Sequence, residues 1–387
     1  MINLTDYLDP VSIEKPLWSH IAEPSTLAHN LSISTASKPL NNISGFKLAI
    51  IGVPDDRRSP NKGSSQGPDK IRESLYTLAR LPGKNKIADL GNLKQGPRFE
   101  DSLAALYDVV NHLLKEECQV LILGGSSAVM SALDKVLSEN LESYNWSNAD
   151  SRIDFVAEKD EPDSFNYLSE ILYNSKSGLR RYTGIGYQTY INDQQAINRL
   201  RKLNHDLVRI GEARSEISET EPVFRDSELI TFDISSVRQS DAPGTFAPSP
   251  NGFYTEEICL LARYAGLSDR LKIFGIFEVN PILDSRNQTS ALAAQLLWFM
   301  LEGVVQRTPE AGLIGNDRNG RFVQYHVSID DLEEELLFVK STVTGRWWME
   351  IKATKGKPWY LACSHKDYLK ANEGEIPGRW LRAVSGK

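Results

Sequence analysis

Short runs of uninterrupted apolar residues alternate along most of this chain with longer stretches whose apolar positions recur about every 3.6 residues. The runs lie at 46–53, 119–123, 153–157, 182–186, 207–210, 229–234 and 272–279. Each is short, and none shows the in-out alternation of a strand with one wet face. Such runs predict strands buried on both faces of a parallel sheet. Helical spacing fills 69–79, 102–115, 128–137, 165–172 and 289–301. Strands and amphipathic helices in alternation predict βαβ units. With right-handed crossovers they predict one doubly wound, mostly parallel α/β domain over about residues 46–305.

The two ends have a different texture. Residues 1–45 are polar, rich in Pro, Ser and Asn, and weakly periodic. They predict a leader that wraps the core, with short helical pieces at best. Residues 306–387 predict a small β-rich appendage. The segments 321–328, 335–341 and 346–352 alternate like antiparallel strands, and Thr344-Gly345 supplies a hairpin turn between the last two. Trp347, Trp348, Trp359, Tyr360 and Trp380 cluster there. From Lys340 to Lys387 there are ten Lys/Arg and four Asp/Glu, a local balance of +6. A basic, aromatic tail suits an anionic partner, but aromatics at strand spacing are more often core. Packing on the main domain is the favoured expectation.

Composition narrows the function classes. The net charge is −7 in 387 residues, which argues against a general nucleic-acid binder. No apolar run approaches the roughly 20 residues needed to span a bilayer, and the first residues lack the pattern of a signal peptide. A cytoplasmic protein with no membrane partner and no nucleic-acid partner is expected. Cys118, Cys259 and Cys363 are widely spaced, so a disulfide framework is not expected. None of the six histidines lies within a helical turn of another, which excludes local His-x-x-x-His metal motifs.

Ligands of parallel sheets bind beyond the carboxyl ends of the strands. After the first run comes Gly52-Val53-Pro54-Asp55-Asp56, and a Gly/Ser-rich loop leads to Gly67-Pro68-Asp69-Lys70-Ile71-Arg72-Glu73. After the second comes Gly124-Gly125-Ser126-Ser127, where one of the serines caps the next helix. There is no P-loop and no Gly-x-Ser-x-Gly elbow. After 153–157 comes Glu158-Lys159-Asp160-Glu161, the sixth run contains Asp233, and the seventh leads into Glu278-Val279-Asn280-Pro281. Asp233 lies in an apolar strand, so its carboxylate needs a cation, a metal or hydrogen-bond donors.

These segments together resemble the arginase/agmatinase superfamily, most closely its formimidoylglutamase branch. The resemblance rests on Ile51-Gly52-Val53-Pro54-Asp55, the Gly-Pro-Asp-x-Ile-Arg segment 67–73, Leu123-Gly124-Gly125, Phe232-Asp233-Ile234, Ala242-Pro243-Gly244-Thr245 and Glu278-Val279-Asn280-Pro281-Ile282-Leu283-Asp284. It covers roughly 46–303. It implies a three-layer α/β fold and, in active members, two Mn²⁺ ions that activate a bridging hydroxide. By analogy it also implies a homo-oligomer.

The departures fall where that chemistry would lie. The family follows its Gly-Gly with Asp-His, and here Ser126 and Ser127 stand there. The family's Asp-Ala-His-x-Asp on the third strand is set against Val156-Ala157-Glu158-Lys159-Asp160. Its Asp-x-Asp on the sixth strand becomes Asp233-Ile234-Ser235. A pair of close cations needs several anionic ligands to offset their repulsion. A binuclear Mn site is therefore not expected, and no cofactor is required. Asp160 and Asp233 leave room for a single weakly bound divalent cation. The ligand-binding candidates are Glu158, Asp160, Asp233, Glu278 and Ser127, the last pair including an acid that aligns with the substrate-binding acid of active relatives.

The favoured expectation is a formimidoylglutamase-like pseudoenzyme with a binding or assembly role, its cleft holding a small cationic or zwitterionic ligand. One rival is an amidine or guanidine C–N hydrolase that uses one metal ion or none. The other is a scaffold that acts through the basic aromatic tail.

Overall fold

The computed structural model describes residues 2–12, 21–83, 85–156, 161–315, 320–330, 332, 335–352 and 358–385. Ten strands form the central sheet: β1 (Leu8–Asp9), β2 (Leu31–Ile33), β3 (Leu48–Val53), β4 (Ile87–Leu93), β5 (Gln119–Gly124), β6 (Tyr144–Ala149), β7 (Leu179–Tyr187), β8 (Asp206–Arg209), β9 (Leu229–Asp233) and β10 (Ile273–Phe277). Their order is β1-β4-β3-β5-β10-β9-β6-β7-β8, with β2 also on β4. Every pairing is parallel except β1 with β4. The central strands β3, β5, β9 and β10 are almost wholly buried, which is why they read as continuous apolar runs.

Helices cover both faces. Phe99–Lys115, Met130–Asn140 and Tyr167–Tyr173 pack into one core, and Gly67–Leu75, Thr255–Leu267 and Gln288–Gln306 into the other. The three-layer α/β architecture is therefore present. Two expectations need correction. The leader does more than wrap, because its segments β1 and β2 extend the sheet edge at β4. And residues 153–156 are not a strand. The strand that follows β5 is β6, which starts nine residues earlier than the expected run.

The segment 67–73 has a structural job. Arg72 is fully buried and donates from Nε and Nη2 to Asp89 on β4, from Nη2 to the Gly91 carbonyl and from Nη1 to Asn92. Tyr76 and the Gly91 amide also donate to Asp89. A Cβ on Gly67 would fall 2.8 Å from the Val279 carbonyl, so only glycine lets this helix approach the strand-end loop so closely. Among the described residues no helix is long and apolar enough to cross a membrane.

The C-terminal segment forms a second, antiparallel sheet in sequence order: β11 (Phe322–Val327), β12 (Leu336–Ser341), β13 (Trp347–Ile351) and β14 (Trp359–Cys363). Gly345, at φ +73°, makes the expected turn. Two helices follow, His365–Asn372 and Gly378–Ser385. Trp347 and Trp348 are buried, the first stacked on Tyr368 at 4.7 Å. Arg225 of the main domain donates to the carbonyls of Trp347 and Cys363, both at 3.0 Å, and lies over the Trp348 ring. Asp226 accepts from the Ala362 amide, and Arg346 pairs with Glu221.

Candidate functional site

The carboxyl ends of β3, β5, β10, β9 and β6 lie side by side, so the loops that follow them meet at one rim. Glu278 follows β10 and is buried there. Its Oε1 accepts from the Ser127 amide at 2.9 Å and from Ser127 Oγ at 3.2 Å. Its Oε2 accepts from Asn61 Nδ2 at 2.9 Å, and Ser59 Oγ lies 3.5 Å away. Its own amide donates to Gly125, and its carbonyl accepts from Asn61. Two loops are thus pinned to one side chain on a third. Glu278 also adopts φ +66°, a conformation that costs a non-glycine residue about 1–3 kcal/mol and persists where the surroundings over-determine it. Burial, and then the charge of Asp233, push its carboxyl up to about 7.

Ser126 and Ser127 divide their work. Ser126 Oγ accepts from the Ala128 amide and is the cap. Ser127 is left to serve Glu278. Further along the rim, Gly244 and Asp284 interlock: a Cβ on Gly244 would meet the Asp284 Cβ at 2.6 Å. Asp284 accepts from the amides of Thr289 and Ser290 at the start of the helix Gln288–Gln306. The segments 242–245 and 278–284 are thus joined by this interlock and by the Asn280 amide, which donates to the Gly244 carbonyl at 2.8 Å.

Asp233 ends β9, and its Oδ1 accepts from the Ser235 amide at 2.7 Å. The β6–β9 register sets Ala149 beside Phe232, so Asp150 and Asp233 leave adjacent strands at one level, with backbones about 4.8 Å apart. Asp150 accepts from the amide of Arg152 at 2.9 Å, and the Ser235 hydroxyl lies 3.4 Å from it. Arg152 reaches Asp154 Oδ1 at 3.2 Å, and its guanidinium stacks on the Phe165 ring at 3.5 Å. Asp150 and Asp154 are both almost fully buried.

These acids sense one another. Burial, then Asp233 and Asp154, hold the Asp150 carboxyl well above the usual carboxylate range. Burial pushes Asp154 up to about 7, against the opposing pull of Arg152. Burial raises Asp233 as well, opposed by its bonds to Ser235 and by the charge of Arg152. Such a group of acids with displaced ionisation is suited to proton exchange or to a cationic ligand. Among the described residues no three His, Cys, Asp or Glu side chains are grouped as a metal site.

The structure brings Ser127 and Glu278 into direct contact and sets Asp233 beside the same rim. Glu158 and Asp160 lie outside the described residues. Asp150, Arg152 and Asp154 are the members that the sequence reading missed. Their signal was present: the spacing Asp-Ser-Arg-Ile-Asp at 150–154 repeats the two outer acids of the Asp-Ala-His-x-Asp pattern. It was overlooked because the strand was set too late.

Comparison with known proteins gives the family and the fold. The arginase family profile matches residues 46–302. A formimidoylglutamase of Photorhabdus laumondii is 25% identical over 268 residues, 65% of this chain and 84% of its own length. An agmatinase of Chromobacterium violaceum is 27% identical over 280 residues, 67% of this chain and 84% of its own. The crystal structure of formimidoylglutamase from Bacillus subtilis superposes with a TM-score of 0.67 at 22% identity, covering 77% of this chain and 98% of that one. A Trypanosoma cruzi formiminoglutamase solved with Mn²⁺ gives 0.64 at 19% identity, covering 70% and 97%. With the profile spanning most of its length, and the strand-end motifs in the family's order, the chain belongs to the arginase family.

Proposed function

We propose that this chain is a formimidoylglutamase-like member that does not hydrolyse amidines, and that its strand-end cleft binds a small cationic or zwitterionic ligand. The observation that carries this reading is Arg152. If the family's Asp-Ala-His-x-Asp falls on residues 150–154, directly after β6, then both aspartates are kept and the imidazole is replaced by a guanidinium. A guanidinium is protonated at all accessible pH and has no lone pair to give a metal. Ser127 and Ser235 stand where the pattern has further ligands, and both are neutral. A donor set of three aspartates sharing their space with a fixed positive charge does not fit two close divalent cations.

The retained acids support the ligand class. Asp150, Asp154 and Asp233 outnumber the one arginine beside them, so a further positive group would be favoured there. Incubation with Mn²⁺ and formiminoglutamate, agmatine, arginine or guanidinobutyrate is expected to give no urea, formamide or amine above background. Sustained metal-dependent turnover of any of them would overturn the reading. Calorimetric titration with the same compounds without metal is expected to show binding that weakens in Asp233→Asn.

One observation favours a second reading, a hydrolase without a metal pair. Asp154, pushed up to about 7, has the ionisation of a general base at neutral pH. That reading requires metal-free turnover of an amidine or guanidine that Asp154→Asn abolishes.

A further inference from the structure

We infer that Arg152 is a built-in counter-cation: its side chain supplies, from within the protein, positive charge that relatives obtain from bound metal. The inference rests on the reading that the cleft works without a metal pair, and it goes further by assigning the charge balance of the site to one residue.

The geometry sets it up. Asp150 and Asp233 leave neighbouring parallel strands at one level. Asp154 follows four residues after Asp150 and is likewise almost fully buried. Buried acids on neighbouring strand ends oppose one another's ionisation, and a fixed cation among them offsets that cost. Arg152 sits between two of them in sequence. Its backbone amide is held by Asp150, and its Nη2 bonds to Asp154 at 3.2 Å. Its flat face rests on Phe165 at 3.5 Å, a cation–π contact that fixes the guanidinium plane. The ring of Phe165 is backed in turn by Phe246. The positive charge of Arg152 favours the ionised form of Asp154, which it touches, and to a lesser degree those of Asp150 and Asp233.

The neighbouring positions agree. Glu278 is already satisfied by Ser127 and Asn61 and does not call on the arginine. Ser127 and Ser235 add no negative charge. A small neutral side chain at each of these places lowers the number of cations the rim requires, which leaves one guanidinium as its permanent member and room for a single ligand cation. The Arg152 side chain remains about a quarter exposed, at 26%, so it can yield space to a ligand cation without leaving the protein.

The test compares the wild-type chain with Arg152→Met and Arg152→Lys by equilibrium dialysis against Mn²⁺, followed by elemental analysis. The wild type and Arg152→Lys are expected to retain no stoichiometric Mn²⁺. Arg152→Met, with its acids uncompensated, is expected to bind Mn²⁺ at least about tenfold more tightly. A folded Arg152→Met with wild-type Mn²⁺ affinity would overturn the inference, as would stoichiometric Mn²⁺ on the wild type. Arg152→Ala gives an independent readout. Low millimolar guanidinium is expected to raise its unfolding temperature and to leave that of the wild type unchanged. No difference between the two would also overturn the assignment. Metal-free hydrolysis of an amidine would sink the non-hydrolytic reading while leaving these binding results intact, so the two failures are distinct.

Discussion

Two arginines of this protein meet buried aspartates, and the contrast between them separates scaffold from site. Arg72 is completely enclosed, and its Nε, Nη1 and Nη2 all find acceptors on β4. Its main partner Asp89 is itself saturated by Tyr76 and Gly91. Charge and hydrogen bonds close on themselves there, and nothing remains for a ligand. Arg152 bonds to one carboxylate, leans on an aromatic face, stays partly exposed and is outnumbered by Asp150, Asp154 and Asp233. A closed pair fixes the chain. An open, under-compensated one leaves unspent electrostatic attraction.

The largest effect should come from breaking the closed network. Arg72→Met leaves Asp89 buried without its cation, which typically costs about 3–5 kcal/mol. Urea unfolding is expected to show a midpoint well below that of wild type with an unchanged slope, and a midpoint within error would mean that Arg72 does not hold the scaffold.

The open cluster should respond to pH in the opposite sense from a stabilising ion pair. The Asp154 carboxyl ionises near 7 in the folded chain and at about 3.9 when unfolded. Between those values the folded form holds the extra proton. This group's contribution to stability is therefore greatest below the lower value, declines as pH rises through the window, and is fully lost above 7. Asp154→Asn removes this dependence. Its melting temperature relative to wild type is expected to improve from pH 5 to pH 8. A difference that stays constant would show that Asp154 ionises normally.

The smallest effect belongs to the serine that merely caps. Ser126→Ala is expected to cost about 1 kcal/mol and to leave ligand titrations of the cleft unchanged. Ser127→Ala should alter those titrations through Glu278, even where its effect on melting is slight.

Much of the fold was legible because β3, β5, β9 and β10 are buried on both faces and read as unbroken apolar runs. The misses have one physical cause. In β6 the polar residues Asn145, Ser147 and Asn148 interrupt the run, yet they are satisfied across the sheet: Ser147 by Ser227 at 2.7 Å, Asn148 by Thr231 at 2.8 Å. In β4 the interruptions are Asp89 and Asn92, both held by Arg72. A local pattern does not display a partner 80 residues away. The cost was a slip of the third strand, and with it the loss of Asp150, Arg152 and Asp154 from the candidate site. Glu278 and Ser127 were found because their motifs need no strand register, only a strand end.

The seam around Arg225 has a mechanical consequence. Its guanidinium grips two carbonyls of the second sheet, Asp226 holds a third strand-end amide, and Lys366 and Arg379 add contacts to Glu216 and Glu219. The covalent link between Gln306 and Phe322 is thus not the sole tie between the two sheets. A protease that nicks the chain in that connection should yield two fragments that co-elute on gel filtration and separate only in denaturant. Arg225→Ala should let them drift apart.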